Sequence, residues 1–351
     1  VISPRLLDLV ACPDCGGRLT AADGRATCAG CGRAFAASAF LDLRPGEPFA
    51  EQTKYLDAAL HADARHEAIA PPVLGSRVRQ RQLGRLLAPA AGDTIVDLGC
   101  GSGRTLAWNA ASGAHLTGVD IAPYFAPSAV ARFDLVLGDL RRLPLRTGAF
   151  TKAWSLDVLE HLSRSALVDM LAEANRVLAD DGAFVVYSHV RRNGWPGRGV
   201  RAVNRLAAWC ERRGWLDLSQ ERLRKSDHVN PLADHDDLQA VSTQAGFRIE
   251  RVRYYSPVVG AFVENVLVRL AERILMGRAR RRATGLTMDQ ARRLVRADGQ
   301  ARVGARGAVY ALLVALSWIM EIDLLLFGRI PTGPFFARLR KVGKVSPQSH
   351  A

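Results

Sequence analysis

The chain has 351 residues, 48% of them apolar, with 48 Lys+Arg against 34 Asp+Glu and a formal net charge of +14. That composition excludes a disordered or collagen-like chain, and six cysteines are too few for a disulfide scaffold. Residues 1–190 hold 19 basic and 20 acidic side chains whereas 191–351 hold 29 and 14, so the positive excess belongs to the second half, where nucleic acid, anionic lipid or phosphorylated substrates are the natural partners.

The first apolar run is broken by Pro4 and Asp8, so no secretory signal is expected. Cys12-Pro-Asp-Cys15 and Cys28-Ala-Gly-Cys31 follow, two C-x2-C pairs separated by 12 residues. Such pairs form tight knuckles, and four thiolates complete a closed tetrahedral zinc shell with no position left for water, hence a structural site. Two redox pairs, or four buried free thiols, are the weaker alternatives. The segment Leu9 to Pro45, ending Phe40-Leu-Asp-Leu-Arg-Pro45, resembles the Trm112-like zinc ribbon often fused ahead of bacterial methyltransferases. Residues 46–92 read as linker and leading helices, with Tyr55, Leu56, Ala59 and Leu60, then Val78, Leu83, Leu86 and Leu87, at helical spacing on either side of Pro71-Pro72.

Thr94 to Leu98 reads as a buried parallel strand, followed by Gly99-Cys-Gly-Ser-Gly103 and a helix over Thr105 to Ala111. Strand, glycine-rich turn and helix together let backbone amides approach a ligand closely. His115 to Val119 is a second strand ending at Asp120, the position where doubly wound folds grip a ribose diol. Further strands are expected at Asp134 to Leu137, Ala149 to Ser155 and Ala183 to Ser188, the last after a helix over Ser165 to Leu178 and an Asp180-Asp-Gly182 turn. Strands alternating with helices predict a parallel α/β sheet.

Val96-Asp-Leu-Gly-Cys-Gly-Ser-Gly103, Gly118-Val-Asp120, Gly138-Asp-Leu140 and Leu156-Asp-Val-Leu-Glu-His-Leu162 together resemble the class I S-adenosylmethionine (SAM)-dependent methyltransferases of type 11. The resemblance implies a Rossmann-like sheet with an antiparallel seventh strand, formed by Phe335 to Val342. It also implies that Gly99, Gly101 and Gly103 pack under the methionine part of SAM, that Asp120 binds the ribose, and that Asp139 and Leu140 sit at the adenine edge. Asp97, Ile121 and Leu156 complete that cofactor-binding set. A nicotinamide dehydrogenase shares the first two features, but position 104 is Arg and the G-x-G-x-x-G spacing is missing.

Methyl transfer is an in-line displacement, so alignment is the main task and a general base is needed only if the acceptor carries a proton. His161 and His189 are the candidate catalytic groups, with His228 and His235 further along the chain. No Asn/Asp-Pro-Pro-Tyr/Phe or Pro-Cys motif follows the fourth strand, so nothing supports a base-modifying mechanism.

The reading divides the chain into a ribbon over 1–45, the leading segment 46–92 and a SAM-binding domain over 93–345. That domain carries a lid insertion at 191–231 and an apolar helical insertion at 256–331. The lid holds 10 basic residues among Trp195, Trp209 and Trp215. In the second insertion Gly307 to Met320 gives 14 uncharged residues before Glu321 and Asp323, short of the roughly 20 that a spanning helix needs. Its arginine rim, including Arg280, Arg281 and Arg282, suits burial on the core, a homodimer interface or peripheral contact with an anionic membrane. The sequence therefore reads as a methyltransferase acting at O or N of a small-molecule or lipid-like acceptor, cytoplasmic and peripheral at the inner membrane surface. The alternatives are an RNA methyltransferase, with nucleic acid the weaker partner, and a non-catalytic SAM-fold interaction protein.

Overall fold

The computed structural model describes residues 2–46, 69–219, 221–222, 228–282 and 287–342. Tyr55, Leu56, Ala59 and Leu60, read as helical from their spacing, lie outside the described residues, as do Arg224 and Lys225 of the lid insertion and the side chain of Arg282.

The ribbon opens with α1 (Pro4–Leu9), capped by the Ser3 hydroxyl, and continues through the small antiparallel sheet β1 (Leu19–Ala22), β2 (Arg25–Cys28) and β3 (Ala34–Ala36). It ends in the two-residue β4 (Leu41–Asp42). Next come α2 (Leu74–Leu87), β5 (Thr94–Leu98), α3 (Arg104–Asn109), β6 (His115–Asp120), α4 (Pro127–Val130), β7 (Asp134–Leu137) and β8 (Phe150–Leu156). After a 3-10 turn at Leu159–His161 follow α5 (Arg164–Val177), β9 (Leu178–His189), α6 (Gly197–Arg212), α7 (His235–Gln244) and β10 (Phe247–Tyr254). The second insertion comprises α8 (Val258–Phe262), a π-helical turn (Val263–Val268), α9 (Arg269–Arg282), α10 (Met288–Gly304), α11 (Ala308–Met320) and α12 (Ile322–Phe327), and β11 (Pro334–Lys341) closes the fold.

The main sheet has eight strands in the order β10-β11-β9-β8-β5-β6-β7-β4. β5 runs parallel to β6 and β8, β6 to β7 and β8 to β9, while β11 is antiparallel to both β9 and β10. This is the Rossmann-like class I arrangement with its antiparallel strand. Central strands buried along nearly their whole length fit a sheet covered on both faces. α5 supplies one cover, with Leu167, Met170, Leu171, Ala174 and Val177 on a single buried stripe and the Ser163 hydroxyl capping its first turn.

Local differences from the sequence reading have physical causes. Asp180 to Gly182 fall inside β9, but Phe150 pairs Leu178 while Lys152 pairs Ala183, so those residues bulge out, with Asp181 left-handed at φ 59°. The ribbon is continuous with the core. β4 pairs in parallel with β7, and the Ala11 amide donates to the Pro144 carbonyl at 3.0 Å. The Arg146 amide donates to the Leu9 carbonyl at 2.8 Å, and Leu6, Leu9, Val10, Phe35, Leu41 and Leu43 join one buried cluster with Val136 and Phe150.

In the apolar insertion, the 14 uncharged residues that fell short of a spanning length belong to a longer apolar stretch that continues past Glu321 and Asp323. Ala308–Phe327 forms 20 residues of mean hydropathy 2.0, long and apolar enough to cross a membrane by length and composition. Both acids turn inward. Asp323 is wholly buried and accepts from the Val259 and Gly260 amides at 3.0 and 2.8 Å, while Glu321 pairs with Arg81 at 2.9 Å. Met320 and Leu324 are buried beside them, and the opposite face leaves Leu312, Trp318, Leu325 and Leu326 exposed. Beyond α12, Arg85, Arg251, Arg253 and Arg329 line a cavity of about 560 Å³.

Candidate active site

Because β5, β6, β8 and β9 run parallel, the glycine turn, Asp120, Asp157 and His189 all emerge at one edge of the sheet. The turn after β5 is built from left-handed glycines. Gly99 has φ 83°, and a Cβ there falls 2.5 Å from Val158 Cγ2. Gly101, at φ 54°, has nothing within 4 Å of an added Cβ, so its backbone faces open space. Gly103 begins α3. The Asp120 carboxylate pins the turn, Oδ2 accepting from the Gly101 amide at 2.7 Å and Oδ1 from the Ala122 amide at 2.9 Å.

Asp97 lies one strand position inside the turn, in register with Gly118 and Trp154 on either side. It is buried, and among the described residues its Oδ2 has no hydrogen-bond partner. Burial pushes its carboxyl up to about 7, against the Trp154 indole and helped by the nearby charge of Asp120. Ile121 follows β6, half-buried. Asp139 is held by the amide and guanidinium of Arg141, at 2.9 and 3.0 Å, while Leu140 packs on the ribbon-side core and Leu156 on the opposite one.

The other half of the edge carries the acid–base groups. Glu160 is 1% exposed, and its Oε2 accepts from the Ser188 hydroxyl at 2.8 Å. Its Oε1 lies 3.5 Å from His189 Nδ1. Burial pushes the Glu160 carboxyl up, but His189 and the backbone outweigh it and hold the group below the usual carboxylate range. His161 stands edge-on to His228, ring centroids 4.7 Å apart, and His189 lies 6.3 Å from His228. Thus the structure brings His161 and His189 together around Glu160, and adds His228 from the far end of the first insertion. His235 is elsewhere, Nε2 at 2.8 Å from the Thr332 carbonyl and its ring against Tyr254 and Phe335.

Sequence reasoning offered His228 without a place and missed Arg79, Tyr187 and Ser188. Arg79 on α2 pairs with Asp157 at 3.4 Å and lies over the Tyr187 ring at 5.6 Å. Burial pushes the Tyr187 phenol well above its ordinary value, so it stays a neutral donor. Tyr187 and Ser188 carry a signal only in hindsight, as polar groups in an otherwise apolar strand next to His189.

In the ribbon, the Sγ atoms of Cys12, Cys15, Cys28 and Cys31 all lie within 4.8 Å of one another. A Cβ at Gly17 falls 2.8 Å from Cys28 Sγ, and the Gly30 amide donates to that sulfur at 3.3 Å. The backbone amide of Cys31 draws the Cys28 thiol down to about 6, whereas burial pushes the Cys12 thiol up to about 12. Four sulfurs this close require a cation before all can ionise, which fits zinc.

Residues 96–186 match the family described as methyltransferase domain, and residues 3–36 match the family described as Trm112p-like protein. The chain therefore carries a class I methyltransferase-type domain behind a Trm112-like ribbon. Among its relatives, a 24-methylenesterol C-methyltransferase of Oryza sativa is 24% identical over half of this chain and 46% of its own length. An O-methyltransferase of Penicillium expansum is 28% identical over 50% of this chain and 59% of its own. The chain thus spans about half the length of these relatives. A solved phosphoethanolamine N-methyltransferase of Haemonchus contortus superposes with a TM-score of 0.47 at 14% identity, covering 83% of this chain and 58% of that one.

Proposed function

We propose that the protein transfers the methyl group of SAM to an oxygen or nitrogen of a small, lipid-like acceptor. One observation carries this reading. The glycine turn with the unpartnered Asp97 oxygen stands at the same sheet edge as the Glu160–His161–His189 group. The open backbone of Gly101, the Asp120 carboxylate beside it and the orphan Asp97 oxygen fit a ligand carrying both hydroxyls and an ammonium. SAM, when bound, supplies a methyl group on a cationic sulfur. This chain's residues do the rest: Gly99, Gly101 and Gly103 hold the donor, Asp120 takes the ribose, and Asp139, Leu140, Ile121 and Leu156 border the adenine. Glu160, anionic and buried, lies 3.5 Å from His189 Nδ1 and orients that ring, so His189 is placed to take the acceptor's proton, with His161 beside it. Cys12, Cys15, Cys28 and Cys31 hold structural zinc.

The acceptor class rests on the second half of the chain. The exposed apolar face of α11 and α12 and the arginine-lined cavity beyond it suit an amphiphile presented at an anionic membrane surface. Calorimetry tests the donor site: the protein binds SAM, and Asp120→Ala weakens binding at least about tenfold, a loss of roughly 1.4 kcal/mol. Unchanged SAM affinity in that variant, or none in the parent, rejects the assignment.

A further inference from the structure

We infer that Glu160, His161 and His228 form a second metal site, one that holds a divalent first-row transition cation at the acceptor side of the sheet edge. The three ligand atoms all lie within 4.8 Å of one another. An ion bonded at about 2.1 Å separates its donors by roughly 3 to 4 Å, so these close on it with shifts of an ångström or less. One carboxylate with two imidazoles is a borderline set that suits manganese, iron, cobalt or zinc better than magnesium or calcium.

The site is built from two remote segments that are tied together. The amides of Val229 and Asn230 both donate to the Glu160 carbonyl, at 2.8 and 3.0 Å, which brings the return of the first insertion against the 3-10 turn and sets His228 across from His161. Ser188 holds the outer carboxylate oxygen of Glu160 at 2.8 Å, the kind of support that orients a ligating carboxylate. Three protein ligands leave coordination positions open, and the matching ligand class is an acceptor with oxygen donors, a hydroxyl or phosphate, held beside His189. This extends the proposed methyl transfer by adding a device for holding the acceptor, yet its test reads metal directly.

The test uses the full chain with its ribbon loaded with zinc, titrated with Mn2+ and followed by electron paramagnetic resonance of the free ion. Mn2+ is a poor competitor for four thiolates, so the ribbon does not contribute. The expected result is one saturable Mn2+ per chain, with His228→Ala and His161→Ala each lowering affinity at least about tenfold and Ser188→Ala lowering it by about the same factor. His228 stands on a half-buried loop, so His228→Ala keeps the fold even if a Glu160 variant does not. Absence of saturable Mn2+ binding, or affinity unchanged in both histidine variants, overturns the inference. SAM calorimetry on the unsubstituted protein separates the two claims: SAM binding without saturable Mn2+ refutes only the metal site, and saturable Mn2+ without SAM binding refutes only the methyl-transfer reading.

Discussion

Two glycines separate backbone demand from mere composition. Gly99 combines φ 83° with a Cβ position 2.5 Å from Val158, whereas Gly84 lies inside α2 with open space around it. Gly99→Ala is expected to destabilise by more than about 1 kcal/mol and Gly84→Ala to stabilise by up to about 1 kcal/mol. Thermal melts check both, at roughly 2–4 °C per kcal/mol for a domain of this size. Asp97 gives a pH signature in the SAM-free protein. Its folded value of about 7 lies above the ordinary carboxylate value of 3.8, so the folded state keeps the proton longer. Its contribution is full below about pH 4 and falls away as pH rises to about 7, a swing on the order of 4 kcal/mol. Asp97→Asn is expected to flatten that part of the stability-versus-pH curve and to be the more stable protein at pH 8; an unchanged slope in denaturant titrations contradicts the burial argument.

At the scale of elements, the ribbon and the main sheet share backbone pairing through β4 and β7 and a common buried cluster. Stripping zinc with a chelator should therefore lower the melting temperature of the main transition, not only remove a small early step. A main transition that stays in place after metal loss refutes this coupling. The sharing was not legible in the sequence, because Leu41–Asp42 is too short for any alternation and its partner lies almost a hundred residues away. The strands around the glycine turn were legible, since each is a short apolar run ended by Gly, Asp or His. His228 was not, because a single histidine beyond an insertion gains its place only through the Val229 and Asn230 amides on Glu160. The apolar insertion was read as interrupted at Glu321 and Asp323, since only tertiary partners, Arg81 and the Val259 and Gly260 amides, reveal that both acids point inward. The exposed face that remains predicts that Leu325→Glu with Leu326→Glu sharply reduces sedimentation with phosphatidylglycerol vesicles. Equal sedimentation of parent and variant, or a parent that forms a dimer hiding this face, contradicts the membrane assignment.

Across the whole molecule the net charge of +14 acquires a location. The half that forms the glycine turn, Asp97, Asp120 and the ribbon is near neutral, whereas the arginines gather around the apolar helices and the cavity beyond α12. On the proposed function, donor binding and acceptor capture fall in separate parts of one chain, with the Glu160, Ser188 and His189 contacts at the sheet edge between them. Removing His189 should then depress turnover with little change in SAM affinity, and single-turnover assays against calorimetry read the two apart. The most direct measurement is incubation of the purified protein and methyl-labelled SAM with fractionated lipid, RNA and small-molecule extracts. The proposed methyl transfer puts label in an amphiphilic or small organic fraction, abolished by Asp120→Ala. Label confined to RNA, or no transfer to any fraction, contradicts it.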